Sequence, residues 1–161
     1  MSIFGGINTS ASGLTAQRLR MDLIGNNIAN INTTHTGELT PGGNPVPYSR
    51  QVAVFVPRPA ETPFAGVLGE TLGDRNVGGG VQVASIVRDE APFRLEYDPD
   101  SPDAAKVAES GLPVGYVRQP NVNIVTEMVD LISASRAYEA NVTVLNVSKS
   151  MITKALEIGK G

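Results

Sequence analysis

Apolar residues recur at alternating steps of four and three at both ends of this chain. The N-terminal run is Ile3, Ile7, Leu14, Met21, Ile24, Ile28 and Ile31, with Ser10 and Gln17 in the same register. The C-terminal run is Ile124, Met128, Leu131, Tyr138, Val142, Leu145, Ile152 and Leu156, with Ser135 and Lys149 filling its polar steps. Such spacing winds one stripe along a helix and is the repeat of coiled-coil packing. The pattern predicts two long terminal helices whose seams pack on each other and on copies in neighbouring subunits. An intramolecular helical hairpin carries the same signature, so the heptads alone leave both readings open.

The second helix has a further apolar row, Val125, Val129, Ile132, Val144, Met151, Ala155 and Ile158, broad enough to serve more than one partner helix. Its other face, with Asp130, Arg136, Glu139, Asn146 and Lys149, is thinly charged. Asn121 or Asn123 is placed to cap its start, and Gly159 to end it. The first helix begins between Ser2 and Gly6 and runs to about Ile31. Gly5, Gly6, Gly13 and Gly25 each cost up to about 1 kcal/mol relative to Ala, so this helix is marginal alone and is expected to order on docking.

Between the helices the period changes. Residues 35–47 are rich in Pro and Gly and predict a loop. Tyr48 to Val56 is β-branched and stops at Pro57, which predicts a strand. A Pro- and Gly-punctuated stretch follows to Gly80. Val81, Val83, Ser85 and Val87 then alternate, as do Phe93, Leu95 and Tyr97, and predict further strands of a small sheet. Asp98 to Asp103 reads as an acidic turn and Gly111 to Pro120 as an irregular bridge. The expected class is α+β: long N- and C-terminal helices packing as a coiled coil, with a small β-rich central domain. The expected division is an N-terminal axial helix over 1–34, a loop and β-rich region over 35–120, and a C-terminal axial helix over 121–161.

A length of 161 residues allows one domain or a helical pair with a small lobe, not a two-domain enzyme with a deep cleft. The formal charge of -3 offers no basic field for nucleic acid. The absence of cysteine removes disulfides, thiolate metal sites and Cys nucleophiles together. The N-terminus has no basic segment followed by a continuous apolar one, so no cleaved secretory signal is expected. No apolar run reaches the roughly 18 to 20 residues of a membrane span.

Candidate chemistry is sparse. His35, the one histidine, lies in the Pro/Gly-rich loop and reads as solvated rather than as a general base. Gly78-Gly79-Gly80 precedes a strand with no Lys-Ser/Thr after it, so it reads as a hairpin approach or a flexible joint rather than a phosphate cradle. Asp98, Asp100 and Asp103 lack the Gly and distal Glu of a calcium loop, and a solvated turn is favoured. Glu90 and Glu96 are the nearest approach to paired carboxylates, without an evident groove. No catalytic, cofactor or metal residue is assigned.

Longer stretches carry a resemblance. Gly13-Leu14-Thr15-Ala16-Gln17-Arg18-Leu19-Arg20-Met21-Asp22-Leu23-Ile24-Gly25-Asn26-Asn27-Ile28-Ala29-Asn30 resembles the N-terminal signature of bacterial flagellar rod and hook proteins, the axial family. Pro92 to Pro99, Gly115 to Asn123 and Glu127 to Asn141 look like those of its proximal-rod members. Where many axial proteins read Asn-Thr-x-Gly-Tyr after the first helix, this chain has Asn32-Thr33-Thr34-His35-Thr36-Gly37, with Tyr48 only later. An irregular Pro/Gly-rich loop there is similar to the proximal-rod pattern.

The resemblance implies a structural subunit of the flagellar basal-body proximal rod that self-assembles with other rod proteins into a torque-transmitting shaft. It implies passage through the flagellar type III export apparatus without a cleaved signal, assembly in the periplasmic space, and contacts with membrane-ring and rod-base adaptor proteins. No cofactor, small-molecule substrate or nucleic acid is implied. The expected subunit-interface residues are Ile7, Leu14, Met21, Ile24 and Ile28 on the first helix and Met128, Leu131, Tyr138, Val142, Leu145 and Ile152 on the second. Other readings are a distal-rod or hook-associated axial protein, a secreted coiled-coil adhesin, and a wall-cutting enzyme.

Overall fold

The computed structural model describes residues 3–58 and 79–159. The order is α1 (Ile3–Ala29), β1 (Gln51–Pro57), β2 (Val81–Arg88), β3 (Arg94–Tyr97), β4 (Tyr116–Gln119) and α2 (Ile124–Ile158), an α+β chain with long helices at both ends. Asn123 is the α2 cap: its Oδ1 accepts from Val125 N at 3.0 Å and Thr126 N at 3.4 Å. The helix closes where Gly159 N donates to Ala155 O.

The strands form two separate pairs. β1 lies beside β2, with Arg58 N donating to Gly80 O at one end and Asp89 N to Arg50 O at the other, which makes the pair antiparallel. β3 and β4 are antiparallel, with Arg94 opposite Gln119 and Tyr97 opposite Tyr116. The rings of that last pair are tilted at 58° with centroids 5.1 Å apart, an edge-leaning arrangement suited to aromatic quadrupoles. β4 corrects the expected irregular bridge over Gly111 to Pro120. Tyr116, Val117, Arg118 and Gln119 favour an extended backbone, but Pro113, Gly115 and Pro120 around them hide so short a strand.

The 35–47 loop also has more order than its Pro and Gly content suggests. Leu39 bridges Pro45, Thr36 N donates to Val46 O, and Thr40 N to Asn44 O around a turn through Gly43. Of the Pro/Gly-punctuated stretch after Pro57, residues 59–78 lie outside the described part.

Two compact units are built from interleaved segments. The first comprises Met1–Met21, Ala53–Ser85 and Ile132–Gly161, and the second Asp22–Val52 and Ile86–Leu131. In the first, Ala16 and Ala134 are buried. Among the described residues of the second, Leu23, Ile24, Ala104, Ala105, Leu112, Val117 and Val122 are buried, with Asn27, Asn44 and Glu127. Each buried Leu, Ile or Val contributes roughly 1.5 to 3 kcal/mol, and polar bonds tie the same region.

Candidate assembly helices and their polar anchor

On α1 the expected seam lies inward: Ile7, Leu14, Gln17, Met21 and Ile28 are half-buried, and Ser10 and Ile24 are buried. On α2 the row Leu131, Tyr138, Leu145 and Ile152 is half-buried. The alternate row differs from the one the apolar residues suggest. Glu127 and Ala134 are fully buried and Asn141 and Ser148 are half-buried, whereas Met128 is exposed and Val142 flanks the seam. Small and polar residues occupy these steps because the backbones come close there. A Cβ built on Gly13 would stand 3.1 Å from Asn141 Oδ1.

The helices thus meet at one point in each unit, Gly13 with Asn141 in the first and Asn27 with Glu127 in the second. Asn27 lies two heptads after Gly13, and Glu127 two heptads before Asn141.

In the first unit, α1 also meets the start of β2. Ser12 Oγ donates to Thr9 O at 2.7 Å and accepts from Val81 N at 3.0 Å. Gly80 allows this approach: its φ is +90°, and a Cβ there would fall 2.2 Å from Ser12 Oγ. The run expected to be a hairpin approach therefore ends as a helix-to-strand contact. Beside it is an open groove of about 330 Å³ lined by Ser12, Thr15, Ala16 and Leu19 of α1 with Arg58, Val81, Gln82 and Val83. The Ser12 and Thr15 hydroxyls are spent on Thr9 O and Ala11 O, so neither is set up beside a base as a nucleophile.

The main polar site is in the second unit. Asn27, in the last turns of α1, fills all four places of its side-chain amide. Nδ2 donates to Gln51 O at 3.0 Å and Glu127 Oε2 at 3.1 Å, and Oδ1 accepts from Gln51 N and the Tyr48 hydroxyl, both at 2.9 Å. Glu127, in the first turn of α2, gives its other oxygen to Arg50 Nε at 2.5 Å. Arg50 spreads its guanidinium further, NH2 to Asp130 Oδ2 at 3.1 Å and NH1 to Asp89 Oδ2 at 3.4 Å. Asn121 closes the ring of contacts, accepting from Arg50 N at 2.8 Å and donating to Asp89 O and Ala91 O at 3.0 Å.

The electrostatics follow from burial. Burial draws the Arg50 pKa down, but the hydrogen bond and charge of Glu127, and then those of Asp89, outweigh it and leave the pKa raised. Burial first and the Glu127 charge second raise that of Tyr48. The cluster binds the end of α1, the start of β1, Asp89 just after β2, and the start of α2.

A second cluster fixes the 35–47 loop. Glu109 Oε1 accepts from the Thr40 hydroxyl at 2.5 Å and Gly42 N at 3.0 Å, while Oε2 meets Arg118 NH2 at 3.5 Å. Asn44 holds the neighbouring backbone through Lys106 N and Val107 O. Asp103, expected in a solvated turn, accepts from the Thr34 hydroxyl at 2.6 Å. Glu96 accepts from Gln119 Nε2 across the β3–β4 pair, 2.9 Å away. Among the described residues, no group of three His, Cys, Asp or Glu is placed to hold a metal.

Asn27, Arg50, Glu127 and Asn121 carry this site, and sequence reasoning missed that role. Asn121 reads in the sequence as a possible cap, and Asn27 and Glu127 stand only within stretches that carry the family resemblance. No local signal marks the site, because Glu127 lies one residue off the apolar row that the sequence suggests.

Heptad helices at both ends, with polar chemistry devoted to holding their ends and the strands between, define a structural subunit built for helical packing. Comparison gives the particular family. The family model "Flagella basal body rod protein" matches residues 7–34, and "Flagellar basal body rod FlgEFG protein C-terminal" matches residues 114–158. The flagellar basal-body rod protein FlgC of Borreliella burgdorferi is 51% identical over 161 residues, covering 100% of both chains. Those of Bacillus subtilis and Escherichia coli O6:H1 are 47% and 38% identical, each covering 99% of this chain and 100% of the relative. The chain belongs to the family of flagellar basal-body rod proteins FlgC.

Proposed function

We propose that this chain is a structural subunit of the proximal rod of the bacterial flagellar basal body. It assembles with other rod subunits and with itself into the shaft that transmits torque. Full-length similarity to rod proteins carries this reading, and a second observation supports it. Val125, Val129, Ile132, Val144, Val147 and Met151 of α2 are exposed in the single chain, an apolar face suited to neighbouring helices.

The interface residues are Ile7, Leu14, Met21, Ile24 and Ile28 of α1 with Met128, Leu131, Tyr138, Val142, Leu145 and Ile152 of α2. Half-buried aliphatics at these positions gain when a further helix covers them, and exposed Met128 gains most. The role is mechanical, without catalysis, cofactor or small-molecule substrate. In support, the buried side chains of Asn27, Asn44 and Glu127 are committed to backbone groups and to neighbouring side chains. The subunit passes through the flagellar export apparatus as an unfolded chain and joins the rod in the periplasm, contacting the membrane ring and its adaptor. Glycines in α1 suit that route by keeping the isolated helix weak.

Deleting the gene and imaging isolated basal bodies tests the position: the reading expects loss of everything beyond the membrane ring. Intact rods lacking only a hook would overturn it. Leu145→Asp expressed in the deletion strain is expected to abolish rod incorporation and motility.

A further inference from the structure

Within the second unit, the β3–β4 sheet has one covered edge and one open edge. Beyond β4 lies Ala105, whose N donates to Tyr116 O at 2.9 Å and whose O accepts from Gly115 N at 3.0 Å. Beyond β3 no further strand follows among the described residues. Asp98 N donates to Gly115 O, and inward and outward steps alternate along an antiparallel ladder. Arg94 and Glu96 therefore turn their backbone groups toward β4, and Leu95 and Tyr97 turn theirs to the open edge. No described residue bonds to those outward groups. The Leu95 and Tyr97 side chains are themselves 44% and 65% exposed.

We propose that β3 adds edge to edge, antiparallel, to β3 of a second copy of the chain, with the two-fold axis at Leu95. Outward groups must oppose outward groups, so a slip of one residue forms no ladder and only slips of two compete. With Leu95 opposite Leu95, Arg94 of each copy faces Glu96 of the other, and Tyr97 comes beside the other copy's Phe93. Slipping by two in one direction sets Arg94 against Arg94, and in the other Glu96 against Glu96. A parallel pair in register brings both like pairs together. Opposite charges facing across strands stabilise and like charges destabilise, so charge complementarity selects this one register. Both groups are available for it. Arg94 is exposed and has no hydrogen bond or ion pair among the described residues, and Glu96 uses Oε2 for Gln119 and keeps Oε1.

A two-fold contact uses the same patch on both copies and closes on itself. With about five residues from each copy it is a small interface, and small interfaces associate weakly. The pairing does not rest on the rod reading, which stands whether or not the dimer forms.

The sequence has no cysteine, which allows a register test on the full chain. Leu95→Cys, oxidised alone at about 1 mM, the range that weak contacts need, is expected to give a disulfide-linked dimer. Its two copies would face each other with Cα atoms about 5.5 Å apart, within disulfide reach. Arg94→Cys alone is expected to link about tenfold more slowly, since its like position lies on a diagonal of about 8 Å. Equal rates, or faster linking of Arg94→Cys, would overturn the proposal. Sedimentation equilibrium on chains without cysteine supplies an independent reading. Arg94→Glu and Glu96→Arg are each expected to weaken dimerisation about tenfold. An equal mixture of these two variants is expected to regain it, because every facing pair is then opposite in charge. A wild-type chain that stays monomeric at that concentration, or a mixture no tighter than its components, would also overturn it.

Discussion

Asn27 bonds to Gln51 as a neighbouring strand would: its Nδ2 donates to Gln51 O and its Oδ1 accepts from Gln51 N, at 3.0 and 2.9 Å. A helical side chain thereby stands in for a backbone and fixes where β1 begins. Because Asn27 is 1% exposed, its own amide has no water as an alternative partner. Asn27→Ala is expected to lower unfolding free energy by about 2 to 4 kcal/mol. Asn27→Asp is expected to be at least as harmful, since it sets a carboxylate against Glu127. Urea titration followed by circular dichroism measures both, and a loss within the scatter of surface substitutions would remove the anchor role.

Arg50 and Glu127 should be strongly coupled. Arg50→Met leaves the fully buried Glu127 carboxylate without its cation, at an expected cost of about 3 to 5 kcal/mol. Arg50→Met combined with Glu127→Leu removes the stranded charge and is expected to recover part of that loss. A double-mutant cycle by urea unfolding reads the coupling, and strictly additive losses would contradict it.

Gly80→Ala meets two obstacles, a positive φ and Ser12 Oγ. A destabilisation of about 1 to 3 kcal/mol is expected. Adding Ser12→Gly should relieve the clash but not the backbone strain. Thermal unfolding of the single and double variants separates the two contributions.

The Glu109 carboxyl is held below its ordinary value of 4.5. The Thr40 hydroxyl is the main cause; burial opposes it, and Asn44, Gly42 N and Arg118 reinforce it. A carboxylate favoured by the fold contributes stability above the unfolded value of 4.5, and loses it as pH falls through the lower folded value. The urea midpoint of the wild type should fall across that acid window. Glu109→Gln should show a shallower fall, and superimposable pH profiles would exclude this linkage.

Gln17 occupies an α1 seam position, and its Oε1 is buried with no hydrogen-bond partner among the described residues. Gln17→Met keeps the length and removes the unmet acceptor, so a gain of about 1 kcal/mol is expected. Differential scanning calorimetry checks the direction.

Much of the architecture is legible in the chain. Period and cap residues mark both helices, and β-branched alternation marks β1 and β2, because these signals depend on neighbours within a few turns or one strand. The short β4 escapes, since four extended residues between Gly and Pro read like any connector. The polar anchor escapes for a different reason. Asn27, Arg50, Asp89 and Glu127 are far apart in sequence, and each alone has an ordinary local use.

Periodicity in this sequence settled that the chain has heptad helices at its ends with strands between them, because amphipathic period is a property of adjacent residues. Tertiary structure decided which α2 row turns inward. Leu131, Tyr138, Leu145 and Ile152 are half-buried, and their companions are Glu127, Ala134, Asn141 and Ser148 rather than the more apolar neighbours. Close approach of two backbones rewards small side chains and fully paired polar ones over bulk, and that choice is made only when the partner helix is in place.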